Sequence, residues 1–170
     1  KKTMNADLRS RLEKIFAEPI KSATAVSGGC IAESRKLQLS SGKVFFLKQA
    51  RRGNSGMFDS EARGLKELRK AGAVRVPEVV ANGPDFLLLE WIEEGKNSTD
   101  SGMEELGFQF AKLHCFTGDK FGFPEDNYLG DSPQLNIPAK AGSKNWVTFY
   151  VENRLQFQAE LAERNGCSTP

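Results

Sequence analysis

Four groups of residues along the 170-residue chain have the types and spacing to do chemistry on a phosphorylated ligand. Ser27-Gly28-Gly29-Cys30 lies between two extended segments, where a glycine pair lets the backbone come close to a ligand and aim its amides at anionic oxygens. Lys48 follows the apolar run Val44-Phe45-Phe46-Leu47, which places an ammonium at the end of a strand. Glu61 falls within the next helical pattern, beside the apolar positions Phe58, Ala62 and Leu65 rather than opposite them. Glu90 and Ile92 close the strand that begins at Phe86, where their main chain can hydrogen-bond the edge of a flat heterocycle. Each group also has a plainer reading. Strand-Gly-Gly-strand is an ordinary hairpin turn, a strand-end lysine commonly snorkels, and a helical glutamate is commonly solvated.

The elements that must position these residues follow from hydrophobic periodicity. Leu8, Leu12, Ile15 and Phe16 recur at helical spacing and predict a helix over 5–17, ended near Pro19. Ser22–Val26, Ile31–Leu39 and Lys43–Gln49 read as strands separated by Ser27-Gly28-Gly29 and Ser40-Ser41-Gly42. The Arg51–Gly56 loop leads into a helix from Met57 to Ala71, with Phe58, Ala62, Leu65 and Leu68 on one face and Gly72 as its stop. Two further strands are predicted at Val76–Val80 and Asp85–Trp91, joined by an Asn82-Gly83-Pro84 turn. After a polar segment at 93–98 the pattern is helical over 103–115, irregular over 116–143, and helical again over 146–163. The fold class is therefore α+β, with a five-stranded antiparallel sheet and one packed helix ahead of a helical region.

Composition narrows the function. With 39% hydrophobic and 27% charged residues the chain has the make-up of a globular domain, and no apolar run approaches membrane-spanning length. A net charge of +2, without a basic stripe or interleaved aromatics, gives no footprint for nucleic acid. Cys30, Cys115 and Cys167 make an odd count with no C-x-x-C spacing, which points away from a zinc site or disulfide framework and towards a reducing compartment. His114 is the single histidine, so any metal or nucleophile scheme that needs several is excluded. The opening residues Lys1-Lys2-Thr3-Met4 lead into an amphipathic helix instead of a signal-peptide core. Cytoplasm is the expected compartment, with a plastid or other organelle as the alternative if a targeting peptide has been removed.

Taken together, a glycine-rich turn, a strand-end lysine and a helical glutamate follow the order used in kinase-type ATP sites. There the turn covers the phosphates, the lysine neutralises them, and the glutamate holds the lysine. From about Val26 to Ala162 the chain also resembles the fructosamine-3-kinase/ketosamine-3-kinase family, whose fold is similar to choline kinases and aminoglycoside phosphotransferases. The matching residues are Gly28-Gly29-Cys30-Ile31, Val44–Lys48, Met57–Ala62, Arg75-Val76-Pro77, Glu105-Leu106-Gly107 and Leu113-His114. Phe121–Gly130, Pro133–Asn136, Trp146–Tyr150 and Arg154-Leu155 extend the match, and the Phe-Gly-Phe, Asp-Asn, Gly, Pro-Gln, Asn series is the part most particular to this family.

The resemblance implies a protein-kinase-like fold: an ATP-binding lobe over 1–92, then a hinge and the first part of a helical lobe over 93–170. It implies ATP-dependent phosphorylation of the 3-hydroxyl of ketosamines, ribulosamine or fructosamine adducts on protein lysines, as a deglycation repair. Glycated proteins or small ketosamines would be the partners, without nucleic acid or membrane. Gly28, Gly29, Cys30, Lys48, Glu61, Glu90 and Ile92 would hold the nucleotide. The family's His-Gly-Asp catalytic loop, its nearby Asn and its magnesium-binding Asp have no match in these residues, so the catalytic and Mg positions are expected beyond Pro170. The chain alone is accordingly expected to be inactive. A nucleotide-binding or regulatory kinase-like protein without transfer is the alternative. His114 matches the family's Leu-His at a helix end and is read as structural. Cys30, beside a loop built for anions, is a redox candidate and a possible route to a homodimer.

Overall fold

The computed structural model describes residues 4–27, 32–50, 56–93, 95, 100–130, 132–137 and 145–167. They fall in two compact units, Lys1–Leu113 and His114–Pro170.

The first unit is built on a five-stranded sheet of β1 (Ile20–Val26), β2 (Ala32–Leu39), β3 (Val44–Ala50), β4 (Val79–Gly83) and β5 (Phe86–Glu90). The strand order is β1-β2-β3-β5-β4 and every pairing is antiparallel, as the sequence predicts for a meander followed by a hairpin. Helix α1 (Ala6–Phe16) covers one face and α2 (Met57–Lys70) the other. The period of two along each strand divides the core between them. Phe45, Leu47, Phe86 and Leu88 join Leu8 and Leu12 of α1, whereas Phe46, Ala50, Leu87 and Leu89 join Phe58 and Ala62 of α2. Leu8, Leu12, Leu47, Leu87 and Leu88 have no exposed surface, and each such burial contributes about 1.5–3 kcal/mol.

Helix α1 starts at Asn5, whose side chain accepts from the Asp7 N–H, and stops where Ala17 takes a left-handed conformation (φ 56°) ahead of Pro19. Glu13 then bridges helix and strand. Its carboxylate accepts from the Ile20 N–H (2.9 Å) and from Arg9 (3.0 Å), which hold its pKa below the usual range. Arg11 reaches Asp85 through two bonds of 2.9 and 2.8 Å and so pins α1 to the start of β5. The Asp85 hydrogen bond raises the Arg11 pKa above its already high value.

Three details depart from the sequence reading. The fourth strand lies three residues later than the predicted Val76–Val80, because Val79 to Gly83 carry the pairing with β5 and the turn falls on Pro84-Asp85. Ile15 and Leu68, placed on buried helix faces by periodicity, are 49% and 42% exposed. The region 116–143, read as irregular, contains a hairpin of β6 (Asn127–Leu129) and β7 (Ser132–Gln134).

Helix α3 (Asp100–His114) runs up to the boundary between the units and exposes Met103, Leu106, Phe108 and Phe110. In the second unit, α4 (Trp146–Tyr150) passes through a π-helical segment, Val151–Gln156, into α5 (Phe157–Arg164). Its buried residues combine the Phe149 ring with polar side chains. The Asn136 amide, 1% exposed, donates to the Glu125 carbonyl (3.0 Å) and Asn127 (2.8 Å) and accepts from Arg154 (2.6 Å). Asp126 accepts from the Asn136 and Ile137 N–H groups at 2.7 and 3.1 Å. A buried amide with its donors and acceptor all paired is stable where a half-paired one would not be.

Gly122 packs against this cluster with φ +94°, and a Cβ there would lie 1.9 Å from the Asn136 carbonyl oxygen. Gly64, in α2, has nothing within 4 Å of the same position. Gly122→Ala should therefore cost more than about 2 kcal/mol in denaturant unfolding of the second unit, whereas Gly64→Ala should stabilise the first by about 0.5–1 kcal/mol.

Candidate functional site

Lys48 sits on β3, with β2 on one side and β5 on the other, in register with Ser34 and Leu87. Because it is in phase with Phe46 and Ala50, its side chain leaves the sheet on the α2 side. Glu61 stands one position before the buried Ala62 and three after the buried Phe58, at the margin of the face that α2 packs on Leu87 and Leu89. The strand phase and the helix stripe thus deliver an ammonium and a carboxylate to one point, and Lys48 Nζ donates to Glu61 Oε1. Lys48 and Glu61 side chains keep 30% and 33% of their surface, so the ion pair is held yet open to a ligand. Asn82 of β4 donates to Asp59 in the first turn of α2 (2.5 Å), which steadies the helix that carries Glu61.

At the far end of β5 the side chain of Glu90 is already committed. It accepts from Arg75 (2.6 Å) and from the Glu78 N–H (3.2 Å), while its own N–H donates to the Glu78 carbonyl (2.9 Å). A ligand contact at Glu90 would accordingly use its remaining main-chain carbonyl. Ile92 is 36% exposed. Between them Trp91 lies under Lys36 of β2, whose Nζ is 4.2 Å from the ring centroid, with the Phe46 ring at 6.3 Å. The indole N–H is buried without a partner among the described residues.

Of the residues singled out from sequence, Lys48 and Glu61 come together, Glu90 ends β5, and Ile92 lies two residues beyond it. Gly28, Gly29 and Cys30 lie outside the described residues. His114 ends α3 on an exposed position. Among the described residues no group of three or more His, Cys, Asp or Glu side chains is disposed to hold a metal ion. No helix of the described residues is long and apolar enough to cross a membrane. Sequence reasoning missed Arg75 as a partner of Glu90 and Trp91 as a partner of Lys36. Only the alternation that puts Leu87, Leu89 and Trp91 on one face pointed to the latter.

A three-strand meander, a helix whose glutamate holds the central-strand lysine, and a two-strand hairpin define the small lobe of the protein-kinase-like fold. Within that class the chain belongs to the fructosamine kinase family, whose model matches residues 3–170. It is 34% identical over 145 residues to the chloroplastic protein-ribulosamine 3-kinase of Arabidopsis thaliana, covering 81% of this chain and 42% of that one. A crystal structure described as a fructosamine-3-kinase from Thermobifida fusca superposes with a TM-score of 0.83 at 25% identity, covering 99% of this chain and 57% of that one. The gentamicin complex of the aminoglycoside kinase APH(2")-IIa, at TM-score 0.55 and 13% identity over 99% of this chain and 54% of that one, shares the fold alone. The chain spans about half the length of the curated relatives it matches.

The Arg75 hydrogen bond, then that of the Glu78 N–H, lower the Glu90 pKa from its usual value of 4.5. A depressed carboxyl pKa contributes stability that is present above the unfolded value and lost as pH falls through the folded one. Carboxyl NMR titration should place Glu90 below the ordinary glutamate range in the intact protein and return it towards that range in Arg75→Ala.

Proposed function

We propose that this chain forms the nucleotide-binding part of an ATP-dependent kinase that phosphorylates the 3-hydroxyl of ketosamines. Ribulosamine and fructosamine adducts on protein lysines, or small ketosamines, are the substrates. The phosphorylated adduct decomposes and frees the amine, which makes the activity one of protein deglycation repair. The observation that carries this reading is the Lys48–Glu61 ion pair, part-exposed on the α2 side of the sheet, in a member of the fructosamine kinase family.

The residues present fit the phosphate end of ATP. Lys48 offers an ammonium already oriented by Glu61, so little ordering remains when a phosphate arrives. Glu61 keeps Lys48 aimed. The main chain of Glu90 and Ile92 would hydrogen-bond the base, and Gly28, Gly29 and Cys30 would supply the loop over the phosphates. ATP, when bound, supplies the phosphoryl group, and the magnesium that accompanies it would take ligands outside the described residues. Oxidation of Cys30, or pairing of two copies through it, would reach the nucleotide through that loop. The compartment is the cytoplasm, or a plastid as in the Arabidopsis relative.

The chain contains no His-Gly-Asp segment, and its only histidine, His114, is followed by Cys115. This supports a second reading of these residues taken alone, in which they bind nucleotide without transferring it. Lys48→Ala should weaken ATP binding about tenfold or more, and Glu61→Gln by less, since the ammonium survives without its anchor. Calorimetry with ATP checks both variants, and equal binding by Lys48→Ala would overturn the assignment. Transfer from radiolabelled ATP to a ribulosamine distinguishes the two readings, because only the first predicts labelled product.

A further inference from the structure

The segment between α2 and β4 is hydrogen-bonded to the end of β5. Helix α2 ends at Lys70, and the chain turns through Gly72 (φ +56°) before Arg75 and Glu78. Glu90 then makes three bonds to this segment: Arg75 Nη2 to Oε1 (2.6 Å), Glu78 N to Oε2 (3.2 Å), and its own N–H to the Glu78 carbonyl (2.9 Å). Glu90 is also the last residue of β5, and Phe45↔Glu90 is the last pairing of β3 with β5. The β4–β5 register is irregular between Val79 and Ala81, close to the same end of the hairpin. The ladder therefore ends at Glu90, just ahead of the segment expected from the sequence to form the hinge, and the Glu90 carboxylate continues the connection with side-chain bonds.

We propose that Arg75 is a positioning residue that clasps Glu90 and thereby fixes the hinge main chain and the C-terminal end of α2 relative to each other. Asn82 and Asp59 fasten the N-terminal end of the same helix to the same hairpin (2.5 Å). With Asp59 of α2 tied to β4 and the segment that follows α2 tied to the end of β5, the helix carrying Glu61 and the main chain of Glu90 move as one piece. On the nucleotide-binding reading above, on which the functional part of this inference rests, the clasp sets the spacing between the phosphate end at Lys48 and the base end at Glu90. A stabilising role explains the pair less well. The Arg75 and Glu90 side chains are 66% and 38% exposed, and ion pairs that open to solvent contribute little to folding.

That exposure also makes the test practical, because the variants should fold. Amide hydrogen exchange reports the hinge directly, without any ligand. In Arg75→Ala the amides of residues 89–93 should exchange about threefold faster or more, while those of Leu37–Leu39 in β2 stay unchanged. Nucleotide affinity should fall about three- to tenfold, and Arg75→Lys should recover part of both effects, since one donor survives. Glu90→Gln should reproduce Arg75→Ala, and combining the two should add almost nothing, as expected for partners in one contact. Lys66→Ala, an exposed change on α2, should leave hinge exchange and affinity as they are. Unchanged hinge exchange in Arg75→Ala would overturn the clasp whatever nucleotide does. Faster exchange with unaltered nucleotide affinity would overturn its effect on the site. Faster exchange in a protein that binds no nucleotide even when unmutated would support the clasp and overturn the nucleotide reading instead.

Discussion

A lysine on a central strand is met here by a carboxylate from outside the sheet, and most of the first unit can be understood as the means of arranging that meeting. Lys48 has sheet neighbours on both sides, so its ammonium can leave only through a face. The alternation of β3 chooses the face, and the Phe58–Ala62 stripe of α2 sets Glu61 above it. Neither residue is deeply buried, which keeps the desolvation cost small and leaves the ammonium able to take a further anion. A fully buried pair would be harder to form and closed to a ligand.

The supporting contacts serve the same end from different distances. Arg11 holds α1 to β5 through Asp85, and the Leu8 and Leu12 side chains seal the face opposite the site. Asn82 and Arg75 fasten what lies at the two ends of α2 to the β4–β5 hairpin. The second unit solves a different problem. Its aromatic residues Phe121, Trp146, Phe149 and Tyr150 pack against one another, while Asn136 and Arg154 satisfy polar atoms around the β6–β7 hairpin. The Phe-Gly-Phe, Asp-Asn and Pro-Gln-Leu-Asn residues acquire a physical meaning here. Gly122 allows the close approach, Asp126 takes two backbone N–H groups, and Asn136 joins the pieces.

Much of this was legible in the residues because period and punctuation agreed. Strands β1 to β3 alternate between clear turns, and Phe58, Ala62 and Leu65 mark the inner face of α2, so the approach of Glu61 to Lys48 could be anticipated. The slip of β4 arose because Val76-Pro77-Glu78-Val79-Val80 is more β-like than Val79–Gly83, yet Pro77 cannot donate to a ladder and pairing with β5 decided the register. Strands β6 and β7 are three residues each, too short to show alternation among Gly, Pro and Asn. The π-helical segment is only six residues long and flanked by ordinary helix on both sides, so the sequence reads as one helix across it. Arg75 and Glu90 are 15 residues apart and share no element, so only the folded geometry pairs them.

The central claim is that Lys48 meets the phosphates of a nucleotide. Acylation by an ATP acyl-phosphate probe, followed by peptide mapping, tests it most directly, because the probe marks the lysine nearest the bound phosphates. The account predicts labelling concentrated on Lys48 and suppressed by excess ATP. Labelling spread over exposed lysines such as Lys66 and Lys70, and unmoved by ATP, would contradict it.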